Sequence, residues 1–367
     1  MGSRPAPLYS IQVLRAFAAL SVVVHHAGYD ADTIAGRYGD APLGLDRLFD
    51  WSFGIHLFFV ISGFIMLRTA RDFGRPGAPP RFVGRRLLRI APLYWLMTTA
   101  VLLGSLAAPG LLNVPVEGWG LFFGSYLFIP VTRINGEIRP ILGQGWTLDY
   151  EMFFYLLFGA AMALPRRAGL SAIAVVLIGL VLLGKIFPAG SAPLFVWTNG
   201  LLLEFLLGIA IGLLGEVGWR IGRASGIALV LLGLLAAVAL GPASSRFEAV
   251  DPVLRGGLPA ALILAGSVLM PPWRASRLVL GLAILGDASY SLYLAHPFAI
   301  RLLRVGWTAT VGNRLPAWVF LCCACLAAVI TGLVVFRLIE APMTARLNRL
   351  FPAMRHRSPD STARSPV

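Results

Sequence analysis

The sequence predicts an all-α integral membrane protein of about ten transmembrane helices with both termini cytoplasmic, and three observations predict it. Of the 367 residues, 57% are hydrophobic and only 13% charged, with a mean hydropathy of +0.78. That is more apolar surface than a water-soluble chain of this length can hide. Apolar runs long enough to cross hydrocarbon recur along the chain. The arginines behind the formal net charge of +14 gather in short segments between those runs, which fits anchoring at a membrane interface and excludes nucleic acid as the expected partner.

The runs fall near residues 11–29, 49–67, 88–108, 149–164, 169–186, 199–215, 224–241, 257–272, 280–303 and 318–338. The first follows Pro5 and Pro7 and carries an internal Arg and two His, so it reads as a span and not as a cleavable leader. Gly36, Gly39, Pro109, Gly110, Pro165, Gly190, Pro193, Pro242, Pro271 and Pro272 punctuate the joins, and Pro342 follows the last run. The runs 149–164 and 257–272 are short. Between the third and fourth runs, Trp119 to Pro130 is apolar but bounded by turns, so it is expected to lie along the outer interface or to re-enter. Cys322, Cys323 and Cys325 share the tenth run with no suitably placed partner, read as small buried apolar side chains, and give no reason to expect a metal. No internal repeat is visible. The expected organisation is a cytoplasmic N-terminus over 1–10, a membrane domain over 11–342, and a basic, disordered cytoplasmic tail over 343–367, rich in Ser, Arg and Pro from Arg355.

Charge orients the spans. The segment 68–89 carries Arg68, Arg71, Arg75, Arg81, Arg85, Arg86 and Arg89 against Asp72, whereas 30–48 carries Asp30, Asp32, Asp40 and Asp46 against Arg37 and Arg47. The arginine-rich loop is expected on the cytoplasmic side. Ten spans starting inside then put Arg166 and Arg167, Arg220 and Arg223, Arg274 and Arg277, and the C-terminal arginines on that same side.

Ionisable side chains at membrane depth are costly, so they pair, snorkel or work. In the first run, Arg15 sits near the cytoplasmic end and His25 and His26 near the outer end. Arg15 and His26 are separated by about 16 Å of helical rise along almost one face, with His25 turned about 100° away. Arg15 could snorkel and the histidines could satisfy local hydrogen bonds, or one histidine could line a cavity. In the second run His56 lies below the outer surface, and Ser62 and Gly63 near mid-depth suit close helix approach. Ser62 would need a base at matching depth to be a nucleophile. Asp149 and Glu151 enter the fourth run after Trp146, either as an acidic rim at a helix N-terminus or at the level of His26. His296 precedes the kink-prone Pro297, and Arg337 and Glu340 are spaced to bridge at a helix end. The outer half thus gathers His, Trp and carboxylates suited to acid–base work on a hydroxyl, while the inner face gathers arginines suited to an anionic ligand.

The segments QVLRAFAALSVVVHH, GIHLFFVISGFIM, FVGRRLLRIAPLYW, GWTLDYEMFFY, SYSLYLAHP and IEAP, in this order over residues 8–342, resemble the membrane acyltransferase-3 family. That family includes bacterial polysaccharide and lipopolysaccharide O-acetyltransferases. The resemblance implies a bacterial inner-membrane, multi-pass enzyme that moves an acyl group, most simply acetyl, from cytoplasmic acyl-CoA to a hydroxyl of a surface or exported carbohydrate. It implies acetyl-CoA or another acyl-CoA as donor, and a carbohydrate or lipid-linked glycan as acceptor. Membrane lipids and glycan-assembly proteins would be its partners. The family's arginine and histidine pair falls on Arg15 and His26, with His25 beside it. Its arginine-rich inner motif falls on Arg85, Arg86 and Arg89, and its acid on Glu151. Here Arg15, Arg85, Arg86 and Arg89 would hold the donor, and His26, with His25 or Glu151 orienting its ring, would be base or transient acyl acceptor.

The chain departs from the pattern where Thr147, Asp149, Tyr150 and Glu151 replace the usual acidic cluster, and where His56 stands at the usual Asp before Leu-Phe-Phe. The soluble hydrolase-like domain of many relatives is not expected after Arg346. Acylation of a small molecule such as a macrolide stays open, and so does a transporter of a polar lipid or sugar, in which the same groups would line a path.

Overall fold

Away from water only an internally bonded ladder satisfies every backbone N–H and C=O, so long runs of Leu, Val, Ala and Phe form helices. The computed structural model describes residues 9–107, 118–241 and 251–351. Among these, regular structure is helical apart from one isolated bridge between Thr132 and Ile138. In chain order the helices are α1 (Tyr9–Arg37), α2 (Gly54–Thr69), α3 (Ala78–Ala107), α4 (Gly118–Leu127), α5 (Trp146–Ala161), α6 (Arg166–Ile186) and α7 (Ala192–Trp197). There follow α8 (Leu202–Glu216), α9 (Arg223–Leu240), α10 (Leu258–Leu269), α11 (Arg277–Asp287), α12 (Ser289–Thr310), α13 (Ala317–Val335) and α14 (Ala341–Leu350).

The chain is a multi-pass, all-α membrane protein. Among the described residues seven stretches are long and apolar enough to cross a membrane, and α11 with α12 makes an eighth, bent by 72°. Each of the ten apolar runs read from the sequence lies on a helix, although α5 has only 16 residues and the apolar helix Val253–Leu269 is also short.

The helix α1 lies at the centre, packed against α2, α11, α12 and α13. Its inward stripe is small, with Ala16, Ala18, Ala19, Ala27 and Ala31 fully buried, which lets several helices close on it. The parallel helices α2 and α8 come closer still. A Cβ on Gly63 would stand 2.0 Å from the Phe205 carbonyl oxygen, and one on Gly208 2.0 Å from that of Val60. The close approach expected at Ser62–Gly63 is therefore present, and it sets His56 on α2 opposite Glu204 on α8.

Four readings need correction. The apolar run 280–303 breaks by 72° between Asp287 and Ser289, while Pro297 lies within the unbroken α12; both halves touch α1, but only α12 packs along α13 as well. The tail drawn from 343 opens as helix to Leu350, with Arg346 and Arg349 exposed and Thr344 and Asn348 one turn apart against a cavity. Cys322 and Cys323 are exposed free thiols, because the buried stripe of α13 is Phe320, Ala324, Ala328 and Gly332 at four-residue spacing. Glu340 is buried and accepts the Ser291 hydroxyl at 2.5 Å rather than bridging to Arg337, since the π-helical turn Phe336–Glu340 shifts the register between them. Pro5, Pro7, Pro109, Gly110, Pro242 and the tail from Arg355 lie outside the described residues.

Candidate active site

Polar groups of five helices converge on a central cavity of about 110 Å³. Arg15 comes from α1, Ser62 from α2, Arg86 and Arg89 from α3, Glu151 from α5, and Tyr290 from α12. Glu151 accepts the Ser62 hydroxyl at 2.9 Å and also the Tyr155 hydroxyl. The carboxylate at matching depth to Ser62 is thus Glu151, brought in from a helix 89 residues away. Arg86 donates to the Thr69 hydroxyl at 2.7 Å, and its guanidinium lies over the rings of Phe82 and Tyr155 at 5.6 and 5.8 Å. That arrangement fixes a cation without neutralising it. Arg15 donates to Gln12 at 3.2 Å.

Two further cavities share walls with the central one. The arginine cavity, about 210 Å³, is lined by Arg85, Arg86 and Arg89 of α3 with Thr69, Thr344 and Asn348. Arg86 and Arg89 belong to both it and the central cavity. On the other side lies a histidine cavity of about 310 Å³, lined by His25, His26, His56, Arg139, Gln144 and Trp146 among others, and Ile55 and Tyr293 are walls it shares with the centre. Arg139 and Gln144 come from the stretch after α4, and Trp146 opens α5, so the segment between α3 and α5 supplies part of one wall. Tyr293 is held between these spaces by bonds to Thr147 at 2.8 Å and to the Gln144 carbonyl at 3.0 Å.

The seven residues singled out in the sequence fall into two groups. Arg15, Arg86, Arg89 and Glu151 meet at the centre, with Arg85 beside them in the arginine cavity. His25 and His26 stand apart in the histidine cavity, their rings 5.2 Å apart and edge to face. The pairing of Glu151 with His26 is not made. Both hydrogen bonds of Glu151 go to Ser62 and Tyr155, because it projects from α5 a turn beyond Trp146, the residue that faces the histidines. Near the histidines the carboxylate is Asp46, 3.7 Å from His25 Nδ1.

Two pairings have no mark in the sequence, although the histidines in them do. His296 is fully buried and lies tilted against His26 with ring centroids 5.1 Å apart; its Nδ1 bonds to the Leu292 carbonyl at 3.1 Å. His56 Nδ1 bonds to Glu204 at 2.6 Å, and Glu204 is fully buried. Glu204 did carry a signal, as a lone carboxylate inside the run 199–215, and such a residue calls for a partner. Chemically the arrangement offers cations to an anion at one end, imidazoles to a proton at the other, and a narrow polar centre between them.

The family model for an acyltransferase domain matches residues 8–337. The chain is 34% identical over 298 residues to the exopolysaccharide production protein ExoZ of Rhizobium meliloti (strain 1021), an alignment covering 80% of this chain and 89% of that protein. It is 29% identical over 334 residues to the acyltransferase MdmB of Streptomyces mycarofaciens, covering 82% and 81%. No solved structure matches the chain.

Proposed function

The chain belongs to the acyltransferase domain family, and from that premise we propose that it carries an acyl group, acetyl in the simplest case, from acyl-CoA across the bilayer to a carbohydrate hydroxyl. The observation that carries the reading is the row of cavities with common walls, arginines at one end and histidines at the other. The name of the Rhizobium relative, an exopolysaccharide production protein, supports an exported glycan as acceptor.

In this reading the protein is a bacterial inner-membrane enzyme of ten spans, with the arginine face and both termini cytoplasmic. Residues 11–342 form the acyltransferase domain and the basic tail follows it. CoA is a polyanion that cannot cross hydrocarbon, so it stays on the cytoplasmic side and only its thioester end enters. Arg85, Arg86 and Arg89 hold the phosphates, because guanidinium groups bind phosphate oxygens in pairs. Arg15 meets the thioester end in the central cavity. His26 is the base or the transient acyl acceptor at the outer side, with His25 beside it. Glu151 orients Ser62 and Tyr155 where the acyl group passes. Membrane lipids surround the bundle, and glycan-assembly proteins supply the acceptor.

The test is O-acetylation of the cell-surface glycan in a strain carrying His26→Ala, with membrane insertion checked by immunoblot. Acetylation is expected to disappear. Wild-type acetylation in that strain would remove His26 from the chemistry.

A further inference from the structure

Three histidines line the histidine cavity, and their surroundings differ. His26 meets two other rings, His25 and His296. His25 lies 3.7 Å from Asp46, beyond hydrogen-bond reach, and its Nδ1 makes no hydrogen bond. His56 alone of the three has a ring nitrogen at 2.6 Å from a carboxylate oxygen. That carboxylate, Glu204, is fully buried, and its second oxygen has no partner.

If Glu204 is ionised it only accepts, and the proton between them then belongs to His56 Nδ1. Once Nδ1 is the donor, Nε2 of the neutral ring carries the free lone pair. The local backbone is shaped to the pair. A Cβ on Gly256 would stand 2.3 Å from His56 Cδ2, and one on Gly257 would stand 2.9 Å from Glu204 Cγ. Both glycines belong to the π-helical turn Val253–Gly257 that leads into α10. Asp50 and Arg255 share a small cavity of about 30 Å³ with His56, next to this pair.

We propose that His56 is the general base for the acceptor hydroxyl and that Glu204 is its positioning residue, an assignment that rests on the acyl-transfer reading. As the acceptor oxygen attacks the acyl carbonyl carbon, its proton passes to His56 Nε2. The new C–O bond forms, and the carbonyl loses its leaving group, the CoA thiolate in a direct transfer or the His26 nitrogen in a two-step route. The imidazolium formed is held beside the Glu204 carboxylate and then gives its proton to the solvent of the histidine cavity. A carboxylate that fixes the tautomer and stabilises the imidazolium is the arrangement that makes a histidine an effective base. His26, free of that duty, faces the acyl group.

The experiment uses the full-length protein in lipid nanodiscs with acetyl-CoA and two nucleophiles in parallel. One is the host exopolysaccharide after alkaline de-O-acetylation, whose hydroxyls need a base. The other is hydroxylamine, which attacks thioesters without one; its product is read as the hydroxamate after subtracting the protein-free rate. For His56→Gln the ratio of glycan to hydroxylamine transfer is expected to fall by about 10²-fold, the lower end of general-base contributions. For Glu204→Gln, which still holds the ring but not the imidazolium, the ratio is expected to fall about tenfold, with KM for the glycan unchanged. Both transfers falling together in either variant would make the pair structural and overturn the proposal, as would an unchanged ratio. Wild-type protein that transfers to neither nucleophile would overturn the acyl-transfer reading itself.

Discussion

The crossing of α2 and α8 sets the geometry of the outer histidine cavity, and Gly208→Ala measures by how much. The added methyl would sit 2.0 Å from the Val60 carbonyl oxygen, where ordinary contact begins at 3.4 Å. A backbone carbonyl cannot rotate away, so the two helices must part by about 1.4 Å, at an expected cost of about 1–3 kcal/mol. Glu204 lies one turn before Gly208 on α8, and His56 one turn before Val60 on α2. The same displacement would open their 2.6 Å bond to about 4 Å, past hydrogen-bond reach. Gly179→Ala on α6 is the control, since nothing lies within 4 Å of its Cβ; alanine there is neutral or stabilises by up to about 1 kcal/mol. Melting followed by tryptophan fluorescence in detergent reads the stability, and the glycan and hydroxylamine assays read the site. Gly208→Ala is expected to melt earlier and to lose about tenfold or more in glycan transfer relative to hydroxylamine transfer. If the two alanine variants melt and react alike, the crossing does not hold the His56–Glu204 pair.

Arg86→Lys keeps the charge but loses the planar group that lies over Phe82 and Tyr155 while bonding Thr69; KM for acetyl-CoA is expected to rise about tenfold with kcat within about twofold, and an unchanged KM in the nanodisc assay would remove Arg86 from donor binding. Ser62→Ala leaves Glu151 with Tyr155 as its remaining hydroxyl partner. It is expected to lower stability by about 1–2 kcal/mol and to slow transfer to both nucleophiles equally, because the central cavity precedes the choice of acceptor; selective loss of glycan transfer would place Ser62 at the acceptor instead.

What was legible in the sequence was whatever one segment states alone. An apolar run announces a helix through its own length and composition, so even the short α5 and the helix Val253–Leu269 were marked. The arginines of 81–89 and the histidines of α1 were visible as charges out of place. Relations between segments were not visible. Ser62 and Glu151 are 89 residues apart, and His56 and Glu204 are 148; neither separation has a period that a single sequence displays. The sequence groups Glu151 with the histidines because both sit near outer helix ends, yet about one turn of α5 separates the Trp146 wall from the Glu151 wall. The bend before Ser289 has no mark in the sequence because the apolar run continues through it, and it lets α12 pack along α13 while α11 stays on α1.

The position of Glu204 also constrains what can change around it. A buried carboxylate without a cationic or proton-donating partner is one of the more costly groups a membrane bundle can contain. With Oε2 already unpartnered, the 2.6 Å bond to His56 is the contact that keeps Glu204 in place. Loss of His56 to an apolar side chain therefore leaves an orphaned acid, whereas loss of both removes the base and the buried carboxylate together. His56→Leu combined with Glu204→Leu should then recover the melting point lost by His56→Leu while leaving glycan transfer as low as before. Stability and base chemistry separate in that double variant because the first depends on satisfying the carboxylate, and the second on a ring nitrogen that leucine does not supply.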